Sequence, residues 1–181
     1  MSPIRRLAGT PCPRATAMNI KRVTGLLVLL CSASVFAQLV PQDPDWTELD
    51  VPPPSFIKDG LIAIDMPAYV ALKFGIDPAT LSVASDRIVR YVMVATSPTG
   101  AVSAMFEGLR CSHAEFKTYA RWSASGKWLP AKDPQWRPLN DNNTSHHALA
   151  FARQGACDGR IAAASSAAEI LYKLKNPQRN P

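Results

Sequence analysis

The stretch from Ile88 to Trp122 restricts the possible folds of this chain more than any other. Ile88 to Ser97 is dense in Val, Ile and Tyr and reads as a strand. Ser97-Pro98-Thr99-Gly100 follows. Proline suits the first central position of a type I turn, and glycine supplies the positive φ of the bulge that closes it. Ala101 to Cys111 is then the return strand, Ser112-His113-Ala114 turns again, and Glu115 to Trp122 is a third strand. Turns this short join antiparallel neighbours. Ser123-Ala124-Ser125-Gly126 makes a further turn into Lys127-Trp128-Leu129, after which Pro130, Pro134 and Pro138 predict irregular chain.

The flanks are weaker. Leu61 to Met66 reads as a short strand stopped by Pro67, residues 68–75 as a helical turn ending at Gly75, and Leu81-Ser82-Val83 as a second short strand. Two helices close the chain. The first is capped by Thr144 or Ser145, carries Ala148, Leu149, Phe151 and Ala152, and ends at Gly155. The second opens on Ser166-Ala167-Ala168-Glu169, a capping box, and stops at Asn176-Pro177. Strands followed by helices give an α+β class: an antiparallel β-meander of about four to five strands with two C-terminal helices packed on one face.

The turns also set a register. A three-residue first loop places Val92 opposite Phe106, Arg90 opposite Gly108 and Tyr91 opposite Glu107. A three-residue second loop places Phe106 opposite Ala120 and Glu107 opposite Tyr119. One face then reads Ile88, Val92, Val94, Ala104, Phe106, Phe116, Ala120 and Trp122, with Arg90 and Arg110 near one end, and is the face expected to lie beneath the helices. The other carries the row Tyr91, Glu107, Tyr119, flanked by Met93, Met105, Arg121, Leu109 and Lys117. Large rings, thioethers, a carboxylate and two cations make this an amphipathic candidate contact surface, although such cross-strand pairs also stabilise plain solvated sheets. A one-residue slip would swap the faces.

The 181 residues carry a formal charge of +6, which by itself suggests nucleic acid or a membrane. The excess is local. Arg5, Arg6, Arg14, Lys21 and Arg22 precede residue 38, leaving 15 basic and 14 acidic residues in 38–181. Lys21-Arg22, the apolar run Val23 to Ser34 and Val35-Phe36-Ala37 form the charged, apolar and cleavage regions of an export signal, with the cut between Ala37 and Gln38. The run is shorter than the roughly 20 residues of a spanning helix, so no membrane span is expected after cleavage. Export and a near-neutral mature chain disfavour nucleic acid. The expected organisation is an upstream extension at 1–17, a signal peptide at 18–37, an acidic Pro-rich arm at 38–55 pinned by Trp46, a single domain at 56–176 and a disordered tail at 177–181.

Export also implies an oxidising compartment, where the two mature cysteines, Cys111 and Cys157, most simply pair. Closing that loop removes unfolded-state entropy worth roughly 4 kcal/mol.

Several of these segments occur together in one family. Val89-Arg90-Tyr91, Phe106-Glu107-Gly108-Leu109-Arg110-Cys111, Glu115 to Ala120, Trp128 and Trp136, in that order, resemble the cryptic neisserial protein-like family over residues 46–175. The resemblance implies a small exported bacterial domain, periplasmic or envelope-associated. It brings no established activity and no catalytic residues to carry over.

Chemical signatures are sparse. His113 stands in a turn, while His146 and His147 are adjacent and diverge on a helix, so all three read as surface histidines rather than metal ligands. No Gly-x-Ser-x-Gly elbow or phosphate-cradling glycine loop occurs. Asn142-Asn143-Thr144 and Asn143-Thr144-Ser145 match glycosylation acceptors, relevant only in a glycosylating host. No metal or cofactor is expected. The leading expectation is a non-enzymatic module contacting an envelope protein or glycan through Tyr91, Glu107, Tyr119 and Arg121, with Arg90 and Arg110 nearby. Two alternatives remain: an envelope hydrolase using Glu107 as general acid or base, and a structural network in which Glu107 pairs with Arg90 or Arg110.

Overall fold

The computed structural model describes residues 46–140, 146–159, 161–162 and 166–176. The extension, the export signal, the first part of the arm, the Thr144/Ser145 cap, the glycosylation motifs and the tail lie outside these residues.

The central strands form where the turns predict. β1 spans Ile62–Ile64, β2 Lys73–Ile76, β3 Ser82–Val83, β4 Val89–Thr96, β5 Val102–Arg110, β6 Glu115–Trp122, β7 Trp128–Pro130 and β8 Arg137–Pro138. All eight join one antiparallel sheet with the path β1-β2-β4-β5-β6-β7. β3 continues the β2 side along the first half of β4, and β8 continues the β7 side along the start of β6. A separate hairpin pairs β9, Cys157–Asp158, with β10, Ile161–Ala162. The helices are α1, His147–Phe151, extended by a wide π turn at Ala152–Ala156, and α2, Ala167–Lys175, capped by Ser166 as expected.

The strand count therefore exceeds the expected four to five. Residues 73–76 are a strand rather than a helical turn, because Phe74 and Ile76 are buried and the segment pairs with both β1 and β4. Gly75 is mid-strand and terminates nothing. Pro130 and Pro138 sit in two short outer strands, where a missing N–H leaves no central ladder bond unmade.

The first hairpin turn has the expected form. Gly100 has φ +85°, its N–H donates to Ser97 O at 2.9 Å, and Tyr91 faces Glu107. The second turn is one residue longer than expected. A 3-10 turn at Cys111–His113 and left-handed Ala114 (φ 54°) pair Arg110 with Glu115. The extra residue is removed by a bulge at Tyr119: Glu107 faces Thr118, while Phe106 still faces Ala120. The bulge sends Tyr119 to the opposite face from Glu107 and moves Phe116 onto the Glu107 face. Gly108 makes room for the displaced ring, since a Cβ there would lie 2.5 Å from the Tyr119 hydroxyl.

Both faces of the sheet are covered, and the helices lie on the face opposite to the expected one. Helices α1 and α2 pack over Tyr91, Met93, Leu109 and Phe116, with Phe151 and Ile170 fully buried between the layers. The Val92, Val94, Ala104, Phe106 and Ala120 face is covered instead by the N-terminal arm, where Phe56 meets Trp122 edge-on at 5.1 Å and Trp128 Nε1 donates to Pro54 O at 2.8 Å. Cys111 and Cys157 form the expected disulfide, with a Cα separation of 5.6 Å, tying the β5–β6 turn to the chain beyond α1.

Candidate functional site

Glu107 lies at the centre of β5 and is completely buried. The cross-strand residue Tyr91 donates its hydroxyl to Oε2 at 3.2 Å, and Thr118, opposite on β6, donates to Oε1 at 3.0 Å. His147 Nε2, from the first turn of α1, stands 2.9 Å from Oε2 and 3.2 Å from Oε1. Phe74 stacks on the imidazole at 5.1 Å, and Phe116 meets it edge-on. Glu107 thus pairs with neither Arg90 nor Arg110, and His147 is a buried histidine rather than a surface one.

The electrostatics follow from this packing. Burial alone would raise the Glu107 carboxyl, but the His147 charge and the hydrogen bonds from His147, Thr118 and Tyr91 outweigh it and hold it below its ordinary value. Burial would lower His147, but the Glu107 charge and hydrogen bond raise it above its ordinary value, against a smaller opposing effect from Arg121. Burial and the adjacent carboxylate push the Tyr91 hydroxyl far up, so it stays a donor. A general acid needs a carboxyl held high and aimed at substrate. Glu107 is held low, and both its oxygens are taken.

The helices leave one end of this face open. A cleft of about 730 Å³ lies there, with Glu107, Thr118 and His147 at its base. Phe74, Met105, Phe116 and Leu129 contribute apolar walls, and Arg121, Lys132, Asp133 and Arg137 contribute charge. Of the expected contact residues, Glu107 and Arg121 line the cleft, and Tyr91 bonds to its base. The sequence places His147 on the surface and gives Thr118 and Lys132 no role. The signal that could have found Thr118 is the bulge, and no local motif marks His147.

Tyr119, Arg90 and Arg110 serve the other face. Asp86 takes both Arg90 Nη1 (3.1 Å) and Nη2 (2.6 Å), and Arg90 Nη2 also donates to Leu49 O in the arm at 2.8 Å. Arg110 pairs with Glu115 and is sandwiched between Trp46 and Trp136, 4.9 Å from each ring. Lys117 and Trp136 both donate to Glu48. Trp46 Nε1 donates to Asp86 O at 3.0 Å, so it does pin the arm. This second cluster is a strap that holds residues 46–56 against the sheet.

Among the described residues no three His, Cys, Asp or Glu side chains converge on a metal-sized point, and no helix is long and apolar enough to cross a membrane. Fold and site together define a small antiparallel α+β domain with a polar-based cleft on its helix-covered face. The chain belongs to the CNP1-like family, whose model matches residues 41–175. No curated protein and no solved structure matches it significantly.

Proposed function

We propose that this chain is an exported, periplasmic or envelope-associated binding module, not an enzyme, and that its ligand site is the cleft over Glu107, Thr118 and His147. The observation that carries the reading is the cleft itself: its volume falls within the ~300–1,000 Å³ of small-molecule sites, and apolar side chains share its lining about equally with polar and charged ones. Buried Glu107 and His147 satisfy each other, so the base is rigid before any ligand arrives. That suits recognition of an envelope component better than proton transfer. The export reading is supported by the N-terminal signal and by the Cys111–Cys157 pair, which persists in oxidising compartments.

Ser103 lines the open end of the cleft and is itself exposed, so Ser103→Trp should fill the site without disturbing the core. Native mass spectrometry of protein recovered from the producing cell's periplasm should show a retained molecule on the wild type and none on Ser103→Trp. Equal occupancy of both, or of neither, would contradict the proposed site. The intact mass should correspond to a chain starting at Gln38, and cytoplasmic retention of the whole chain would contradict export.

A further inference from the structure

We infer that the cleft takes a small molecule with one anionic group, a carboxylate or phosphate ester, on an apolar body; this rests on the cleft being the ligand site. The charges along its lining cancel unevenly. Glu107 is paired with His147 at 2.9 Å at the base, and Asp133 lies 3.7 Å from Arg137 at the rim. Arg121 and Lys132 remain, both exposed, and neither forms a salt bridge among the described residues. Among the described residues the lining therefore presents two cations without a salt-bridge partner and no acid without one.

Arg121 is well placed to meet an anion. It sits on β6 between Met105 of β5 and Leu129 of β7, on the same face as Glu107. A guanidinium held on a strand offers a planar fork that carboxylate and phosphate oxygens can accept in pairs. The surroundings specify the rest of the ligand. Exposed Leu72 and Leu129 stand with Met105 and Phe74 along the walls, an apolar surface that a purely ionic ligand would leave in water. At the base both Glu107 oxygens are already occupied, by Tyr91, Thr118 and His147. An anionic head against Arg121 and Lys132, with an apolar tail over Met105 and Leu129, satisfies each part of the lining.

The test uses the full chain with its disulfide formed and four probes of one tail length: decanoate, decyl phosphate, decanol and decylammonium. Calorimetric titration should give both anions at least tenfold tighter binding than decanol. The better of the two identifies carboxylate or phosphate as the natural head. Arg121→Ala/Lys132→Ala should weaken both anions at least tenfold and leave decanol unchanged. Equal affinity for decanol and the anions, or anion binding unmoved by the double variant, would overturn the inference. If decanol or decylammonium binds best and Ser103→Trp abolishes it, the anion assignment falls while the cleft stands as the site. If no probe binds the wild type, the anion assignment falls, and native mass spectrometry of wild type and Ser103→Trp decides separately whether the cleft is a site.

Discussion

Arg90 and Tyr91 are neighbours on β4, yet they serve two differently built buried ion pairs on opposite faces of the sheet. On the arm face, Arg90 meets Asp86, and both side chains are 1% exposed. The arm seals them, with Leu49 contributing both an N–H to Asp86 and a carbonyl to Arg90. On the helix face, Tyr91 supports Glu107, whose partner is a histidine at the base of an open cleft. Arginine is permanently charged, whereas histidine is not. The first pair is a fixed strap. The second is a titratable pair beside a site, and that difference separates structural polarity from functional polarity in a molecule where both are buried.

The comparison can be broken most forcefully at Asp86. Asp86→Ala leaves Arg90 buried and unpaired and frees the arm, so urea unfolding should show a loss of about 3–5 kcal/mol. A loss below that of typical surface substitutions would mean the strap is not structural. Gly108→Ala should cost less, about 1–3 kcal/mol, by forcing the Tyr119 ring off the sheet. Tyr119 fluorescence or side-chain NMR should move with it, while the Glu107–His147 pair on the far face stays intact.

The third test separates the pairs by pH. His147 is raised from 6.5, so its contribution is full below that value and is lost as pH rises through the higher folded value. Glu107 is lowered from 4.5, so its contribution is present above that value and is lost as pH falls through the lower folded value. Asp86 is also lowered, despite its burial, by Arg90 and two backbone N–H groups, and behaves like Glu107. Loss of stability on leaving neutral pH for mildly alkaline pH therefore belongs to the cleft pair, since the raised Tyr91 and Tyr119 hydroxyls add their losses only above about pH 10. Unfolding free energy should fall as pH rises from about 6.5 through the higher folded value of His147 in the wild type, and His147→Gln should flatten that slope. Glu48→Gln should give the smallest effect, under about 1 kcal/mol, because its pair with Lys117 is partly exposed and the amide still accepts from Trp136.

The first hairpin was legible because Pro98 and Gly100 dictate their own geometry, and the capping box at Ser166 marked α2 in the same way. The second hairpin hid two compensating irregularities, an extra turn residue and the Tyr119 bulge. The far register survived while Tyr119 and Phe116 changed faces. That both faces are covered was signalled in β4, where Val89 to Ala95 contains no polar alternation beyond Arg90 and is buried throughout. The Glu107 row was visible as chemistry, but its partner His147 lies 40 residues on and meets it only through tertiary packing. The strap is similarly long-range, since Trp46 and Trp136 meet only around Arg110.

The distinction between the two faces rests on a charged His147 held by Glu107. An NMR titration of the imidazole resonances in the wild type and in Glu107→Gln measures this directly. His147 should titrate above the ordinary histidine value of 6.5 in the wild type and drop when the carboxylate is replaced by the amide. A wild-type His147 titrating at or below 6.5, or one unmoved by Glu107→Gln, would contradict a buried ion pair at the base of the cleft.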